Sequence, residues 1–474
     1  MSSRRLCLDI LPDRSLVEIE ETSTRLLDEV GISIDHPAAV EMLHGLGCRV
    51  ERDRVRIPPH VVLWALENIT PQRQLYNRDG SEAFGFGDGQ LRFHSGGGLP
   101  FILDSQTGKQ RNPTLQDVAD ATRLLDALPH VDVIIPLFGP QDVPPELMAI
   151  ASTEALLRNT TKPVWSAPVD TPEHASYMVE MAAACCGGME AYRQRPTMYL
   201  SVSPVSPLDF PEAIVSSIIA IARSGAPLLS LPAPSLGATG PVTMAGGLAQ
   251  QHAETLATYV IAAAARPGTP VIYCSRISAI DPRTAVSIWG GPEVGLTGAV
   301  AGQLAHRLGL PADTYGLSSS TDLFDPQFGY ERLANAMIPA LAGVDILSGV
   351  GSTRDVMIAG YEIAVIDNEL ISLLKQIVAG CRVDEETLAF DMMKEVILRD
   401  GVFLGEMHTV KQMRRGALWI PEISYRGGAH DGAGVVQRAR QRVHEILDSH
   451  AVAPLPDDVG RQLDGILDRA RRNL

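Results

Sequence analysis

The chain has 474 residues, 45% hydrophobic and 20% charged, the balance of a soluble globular protein rather than a disordered or fibrous one. Lys plus Arg number 40 against 56 Asp plus Glu, and the formal charge of −16 repels phosphate backbones and anionic membranes, which argues against nucleic acid and membrane as partners. The longest apolar stretch, Thr255 to Ala265, falls short of the roughly 20 residues a bilayer requires.

Asp9 and Asp13 interrupt any secretory leader. Six cysteines, none in a CxxC pair, are too sparse for a disulfide scaffold and point to the cytoplasm.

The first 130 residues read as an N-terminal α+β region. Leu16, Ile19, Ser23, Leu26, Leu27 and Val30 recur at helical spacing over 15–30. A second helix over 36–46 follows Asp35, a good N-cap, and 48–57 alternates as a strand. Pro58-Pro59 opens a helix to 68, and 75–103 is β-rich with turns at Asp79-Gly80 and Asp88-Gly89. Thr114 with Asp117 caps a helix ending near 128.

From 131 short apolar strands alternate with amphipathic helices. The strands fall at 131–138, 163–168, 197–204, 226–234, 270–276, 312–319, 344–351 and 401–407. Helices between them span 145–159, 172–187, 211–224, 243–265, 293–308, 328–342 and 360–379, with a further one at 384–399. Near-continuous apolar strands separated by helices mean a parallel sheet covered on both faces. Eight units favour a (β/α)8 TIM barrel over 131–425 rather than an open doubly wound sheet, whose Gly-rich first turn is missing at Phe138-Gly139-Pro140-Gln141. The region 426–474 is a charged C-terminal helical tail, with Asp431 in GGAHDGAG (427–434) as its expected cap.

A barrel carries its chemistry on the C-terminal ends of its strands. Those ends are short of charge and rich in hydroxyls, prolines and aromatics. No Lys lies there, which disfavours a Schiff-base enzyme, and no His or Cys cluster has metal-ligand spacing. Glu406 and His408, two apart, share a face if 401–407 is a strand, and the run from Gly349 to Thr353 sits where barrels often bind phosphate. Trp165 and Tyr273, at two strand ends, offer aromatic faces for a weakly hydrated cation.

Several long segments together resemble one known family. They are LLDEVGISIDHPAAVEMLHGLGCRVERDRVRIPPHVV (26–62), LYNRDG (75–80), LDSQTGKQRNPTLQDVADATRLLDALPHVD (103–132), PSLGATGPVTMAGGLAQQHAETLA (234–257), DPQFGYERLANAMIPALAGVDIL (325–347) and IDNEL (366–370). In this order they resemble the trimethylamine methyltransferase family, part of the corrinoid-dependent methyltransferases, over nearly the whole length. The resemblance implies a (β/α)8 barrel that moves a methyl group from an amine nitrogen to the Co(I) centre of a separate corrinoid protein. It implies no tightly bound cofactor, because no DxHxxG-like cobalamin loop occurs; Asp448-Ser449-His450 comes nearest and lacks the glycine.

Trimethylamine-specific members carry pyrrolysine in the loop after strand six. Here that loop reads SSSTDLFDPQ (318–327), and Asp322 falls at or beside the pyrrolysine position. The departure shifts the expected substrate from trimethylamine to a betaine-like quaternary amine. The expected substrate-binding residues are His94, Trp165, Tyr273 and Phe324, and the expected catalytic residues are Asp322, Glu406 and His408. Aromatic faces and Asp322 would meet the cationic nitrogen, and His94 or His408 a carboxylate. A homo-oligomer is expected. Two other readings stand beside this one: a barrel lyase or isomerase with Glu406 or His408 as base, and a non-catalytic betaine-binding protein.

Overall fold

Alternating apolar strands and amphipathic helices close into a ring in the computed structural model, which describes residues 8–104, 107–427 and 432–474. Eight strands form that ring: β1 (Arg92–Ser95), β2 (133–134), β3 (Val164–Pro168), β4 (Met198–Val202), β5 (Leu228–Ser230), β6 (Thr269–Ser275), β7 (Ala312–Tyr315) and β8 (Ile346–Val350). β3 to β8 lie side by side in parallel, and β8 pairs with β1 through Ile346↔Arg92 and Leu347↔Phe93. The parallel bridges His94↔Val133 and Ile134↔Val164 carry the ring through β2 back to β3.

A helix follows every strand. They are α1 (Leu115–Ala127), α2 (Pro145–Asn159), α3 (Pro172–Cys186), α4 (Glu212–Ser224), α5 (Met244–Ala265), α6 (Pro292–Arg307), α7 (Pro326–Leu341) and α8 (Tyr361–Ala379). The fold is the (β/α)8 barrel expected, but its membership differs by one strand. Residues 401–407 form no strand: Val402 and Leu404 are exposed, and a helix starts at Met407. The ring opens instead with β1, so the barrel begins at 92 rather than 131. With only Phe93 strongly apolar in Arg-Phe-His-Ser, β1 carries too little alternation to stand out, whereas Val402, Phe403 and Leu404 imitate a buried strand.

The β-rich stretch before β1 fills the N-terminal end of the barrel. Strand Ile69–Pro71 pairs in parallel with the start of β6, and the hairpin Gln74–Tyr76/Glu82–Gly85 follows. Leu75, Phe84 and Phe86 pack against the inward side chains Val133, Trp165, Tyr199, Leu229, Ile272 and Ile346. Tyr199 Oη donates to the Gln74 carbonyl at 3.2 Å. This inner cluster is separate from the larger core between strands and helices.

Outside the ring the expected α1 cap forms: Thr114 and Asp117 exchange hydrogen bonds, and Arg111 grips Asp117 through two 2.7 Å bonds. In the tail, helix Val435–Ser449 packs on α8 and α1, and Asp457–Asn473 on α3 and α2. Asp431 lies outside the described residues. No helix among the described residues is long and apolar enough to cross a membrane.

Candidate active site

Strand alternation decides which side chains reach the barrel interior. In β6, Ile272 and Cys274 belong to the inner cluster, so Arg276, one step beyond the strand, continues the same face. In β7, an added Cβ on Gly298 of α6 would meet Thr314, which places Thr314 outward and Asp313 and Tyr315 inward. In β1, Phe93 lies near Lys375 of α8 and faces out, which turns His94 in.

The inward residues converge on one buried carboxylate. Asp313 accepts from Arg276 at 2.5 Å through one oxygen, and its other oxygen lies 3.1 Å from His94 Nε2. The second ring nitrogen of His94 lies 2.8 Å from the Ser95 carbonyl. Both ring nitrogens of His94 are thus held against oxygen atoms, which fixes the orientation of the ring. Burial opposes the charge on Asp313, yet Arg276 and His94 more than offset it and its pKa is lowered. Burial likewise opposes the Arg276 charge, and the Asp313 carboxylate outweighs it, so that pKa is raised.

Aromatic rings surround this cluster. The Trp165 ring lies 4.8 Å from His94 and 6.0 Å from Tyr199. Trp165 is fully buried, and its indole N–H has no hydrogen-bond partner among the described residues. Toward the open end, the Arg276 guanidinium sits 5.8 Å from the Tyr315 ring centre, and Trp289 meets Tyr315 edge-on at 4.9 Å. Trp289 is only half-buried, and the Arg276 side chain retains 12% exposure, so both border the mouth.

The mouth is braced from the β8 side. Tyr315 Oη and Ser352 Oγ are 2.8 Å apart, and Arg332 donates to the Ser352 carbonyl. Arg332 also pairs with Asp367 of the IDNEL run, in full burial. Asp367 in turn accepts the Gly351 N–H at 2.7 Å. One of the N–H groups that a phosphate at 349–353 could use is therefore taken by a carboxylate. Gly349 serves backbone approach: at φ +114° an added Cβ would fall 2.0 Å from the Gly316 carbonyl oxygen. Residues 354–356 all have positive φ, and Asp355 ties this turn to the Trp289 N–H and to Ser320 Oγ, each at 2.7 Å.

Of the seven residues expected at the site, the structure brings His94 and Trp165 together inside the barrel. Tyr273 points the other way. Its hydroxyl lies 2.8 Å from His252 Nδ1 and donates to Gln251 Oε1 at 3.1 Å, both on α5. Burial pushes the Tyr273 phenol up and His252 down to about 4, as expected of a dry neutral contact. Asp322 and Phe324 lie on the β7–α7 loop, but Arg354 takes the Asp322 carboxylate at 3.1 Å and Phe324 packs edge-on against Phe328 of α7.

Glu406 and His408 are not on a strand end. α8 runs back along the barrel to Lys375, 3.6 Å from Asp132 at the start of β2, so the chain leaves it at the N-terminal end. The extension beyond places Glu406 against Arg399, and His408 Nε2 lies 2.9 Å from the Glu386 carbonyl. His408 also lines a hollow of about 1130 Å³ with Val383, Leu388, Phe390 and Met407, remote from the mouth.

Arg276, Asp313, Tyr315 and Trp289 were missed. β6 and β7 are buried on both faces, so polarity does not reveal which alternate residues point inward. Tyr273 drew attention as the aromatic of β6, and the opposite parity held the charge. The one legible signal was a pair of ionisable residues, Arg276 and Asp313, in or beside otherwise apolar strands.

The model of the family described as trimethylamine methyltransferase (MTTB) matches residues 2–474. The trimethylamine methyltransferase MttB of Desulfitobacterium hafniense (strain DSM 10664 / DCB-2) is 29% identical over 96% of this chain and 92% of its own. The glycine betaine methyltransferase of Desulfitobacterium hafniense (strain Y51) is 28% identical over 97% of this chain and 96% of its own. Among solved structures, the hydroxylamine complex of MtmB aligns with a TM-score of 0.50 and 15% identity, covering 99% of this chain and 96% of that one, a likeness of fold alone.

Proposed function

The chain belongs to the trimethylamine methyltransferase family, and we propose that it demethylates a betaine-like quaternary amine, passing the methyl group to the Co(I) corrinoid of a separate protein. The observation that carries the reading is the aromatic mouth: half-buried Trp289 edge-on to Tyr315, at the open end of a barrel whose other end is packed with Leu75, Phe84 and Phe86. A quaternary ammonium has no N–H to donate and is weakly hydrated, so it is recognised through ring faces, each contact contributing roughly 0.5–2 kcal/mol.

The Co(I) corrinoid, a substrate brought by the partner, supplies the nucleophile. The C–N bond breaks, its electron pair leaves with the nitrogen, and the product is a neutral tertiary amine. No proton moves. This suits a mouth whose carboxylate, Asp313, is already engaged by Arg276 and His94. The chain's own part is to strip water from the cation, hold it against the rings and turn one methyl group outward. His450, the chain's nearest approach to a cobalt-binding histidine, is engaged by Asp126 at 2.8 Å, which supports a corrinoid carried elsewhere.

Glu406 and His408 stand away from the mouth, which counts against either as the base of a lyase or isomerase, and one N–H of the 349–353 run, that of Gly351, is already bonded to Asp367. The test mixes the protein with free Co(I) cobalamin and a panel of methylated amines and follows methylcobalamin by absorbance. Product from quaternary amines, with little from trimethylamine, is the expected result. Calorimetric binding without any product would make the chain a binding protein instead.

A further inference from the structure

We infer that Arg276 is the anchor for a carboxylate on the substrate, and so selects zwitterionic quaternary amines over simple cations. The inference rests on the proposed quaternary-amine reading and adds the residue that sets substrate class. Three features of the mouth carry it.

The first is charge. A bare cation such as choline gains nothing from a guanidinium at the mouth of its own site, whereas an amine carrying a carboxylate does. Arg276 cannot shed its proton to make room, because Asp313 holds it charged. Asp313 is also shared: one of its oxygens meets Arg276 and the other lies 3.1 Å from His94 Nε2, so the carboxylate is divided between two partners.

The second is donor count. A guanidinium has five N–H donors. Arg276 uses its Nη atoms toward the Ser275 carbonyl, the Asp313 carbonyl and the Asp313 carboxylate, at 2.9, 3.4 and 2.5 Å. Two donors remain without a partner among the described residues, enough for the bidentate grip that planar carboxylates favour. Trp165 adds a buried indole N–H without a partner among the described residues, its ring inside the same barrel beside His94. An unmet buried donor is unfavourable unless a ligand satisfies it.

The third is placement. Asp313 and the Tyr315 ring fix the guanidinium from two sides, and Trp289 lies on Tyr315 beyond it. The anion site and the ring faces are therefore neighbours, as the two ends of a betaine are. Arg276 acts through its own contact with the ligand, and Asp313 is the positioning residue behind it.

The test is isothermal calorimetry on the full chain with glycine betaine, choline and tetramethylammonium, read as the ratio of affinities. The variants are Arg276→Lys, which keeps a charge beside Asp313 but loses the fork, and the double variant Arg276→Met/Asp313→Asn, which leaves no unpaired buried charge. Circular dichroism confirms the fold of each. The wild-type protein is expected to prefer glycine betaine, and both variants to lower the betaine-to-choline ratio by roughly 10- to 100-fold. A wild-type preference for choline, or a ratio unchanged in the folded variants, overturns the inference and leaves the quaternary-amine reading standing. Binding of none of the three ligands overturns both.

Discussion

Replacing Asp313 by Ala tests whether the buried cluster is held together as an ion network. Asp313 is fully buried, and Arg276 and His94 both bond to it. Removing one member of a buried pair is destabilising by about 3–5 kcal/mol, because the remaining charge is left uncompensated. Arg276 keeps 12% exposure and can recover some water, so the lower end, about 3 kcal/mol, applies. Unfolding entropy near 2.1 cal/mol/K per residue gives roughly 1 kcal/mol/K for a chain this long, hence a fall in Tm of about 3 °C by scanning calorimetry. The pH dependence identifies the group. Asp313 has a lowered pKa in the folded protein, so its contribution is fully present above its unfolded value of about 3.9 and is lost as pH falls through the folded value. The stability gap between variant and wild type, measured by urea unfolding, should stay level from pH 8 to about 4 and close below that. A gap under about 0.5 kcal/mol, or one that closes between pH 5 and 7, would refute the reasoning; the second result would place the titrating group at an imidazole.

Tyr273→Phe should lower stability by about 1–2 kcal/mol through its lost contacts with His252 and Gln251, while betaine affinity stays within about twofold; a tenfold loss of affinity would return Tyr273 to the site. Lys162 donates to the carbonyls of Leu125, Leu128 and Val131 at 2.7–2.9 Å, so Lys162→Met should destabilise by roughly 2–5 kcal/mol, read from urea midpoints at pH 7. Burial pushes Lys162 down to about 8, below its unfolded value of about 10.4, so the unfolded chain binds more protons between those values. Wild-type stability should gain from this site as pH rises from 8 to 10, and the Met variant should lose that slope. The double variant Glu406→Gln/His408→Ala should keep methyl-transfer kcat/KM within about threefold of wild type, because both groups are engaged outside the barrel mouth; a hundredfold loss would contradict that placement.

What the sequence made legible follows from what its periodicity reports. Helices such as Pro145–Asn159 and Tyr361–Ala379 match their expected spans almost to the residue, because Pro145 opens the first at its N-terminal position and Gly360 and Gly380 bracket the second. Seven of the eight strands were visible as apolar runs. The eighth failed because Arg92–Ser95 is four residues long and shares the ring through backbone pairing, not through apolar character. The site was harder. His94 was reached through the glycines after it, and Trp165 through its position at a strand end. Tyr273 failed by one step of strand parity, which a strand buried on both faces does not display.

The fold and the proposed chemistry together explain why charge is buried in a site that transfers no proton. On that proposal a tertiary amine leaves a quaternary one without acid or base, and the ionisable groups here would serve to hold and orient. An Arg–Asp–His cluster inside a barrel is a poor way to gain stability, since desolvation offsets much of the attraction. It is a good way to fix a guanidinium in place before the ligand arrives. Asp313 supplies that rigidity from β7, and Tyr315 from the same strand carries an aromatic face to the same spot. The bond from Tyr315 to Ser352 then links this spot to Arg332 and the buried Asp367. The second buried pair lies behind the first, on the helices α7 and α8. Rigid strands thus present the charged and aromatic groups, and rigid helices hold the loop that supports them. Trp289, half-buried on a loop and edge-on to Tyr315, stands at the rim, where on this proposal an entering cation would meet an aromatic ring.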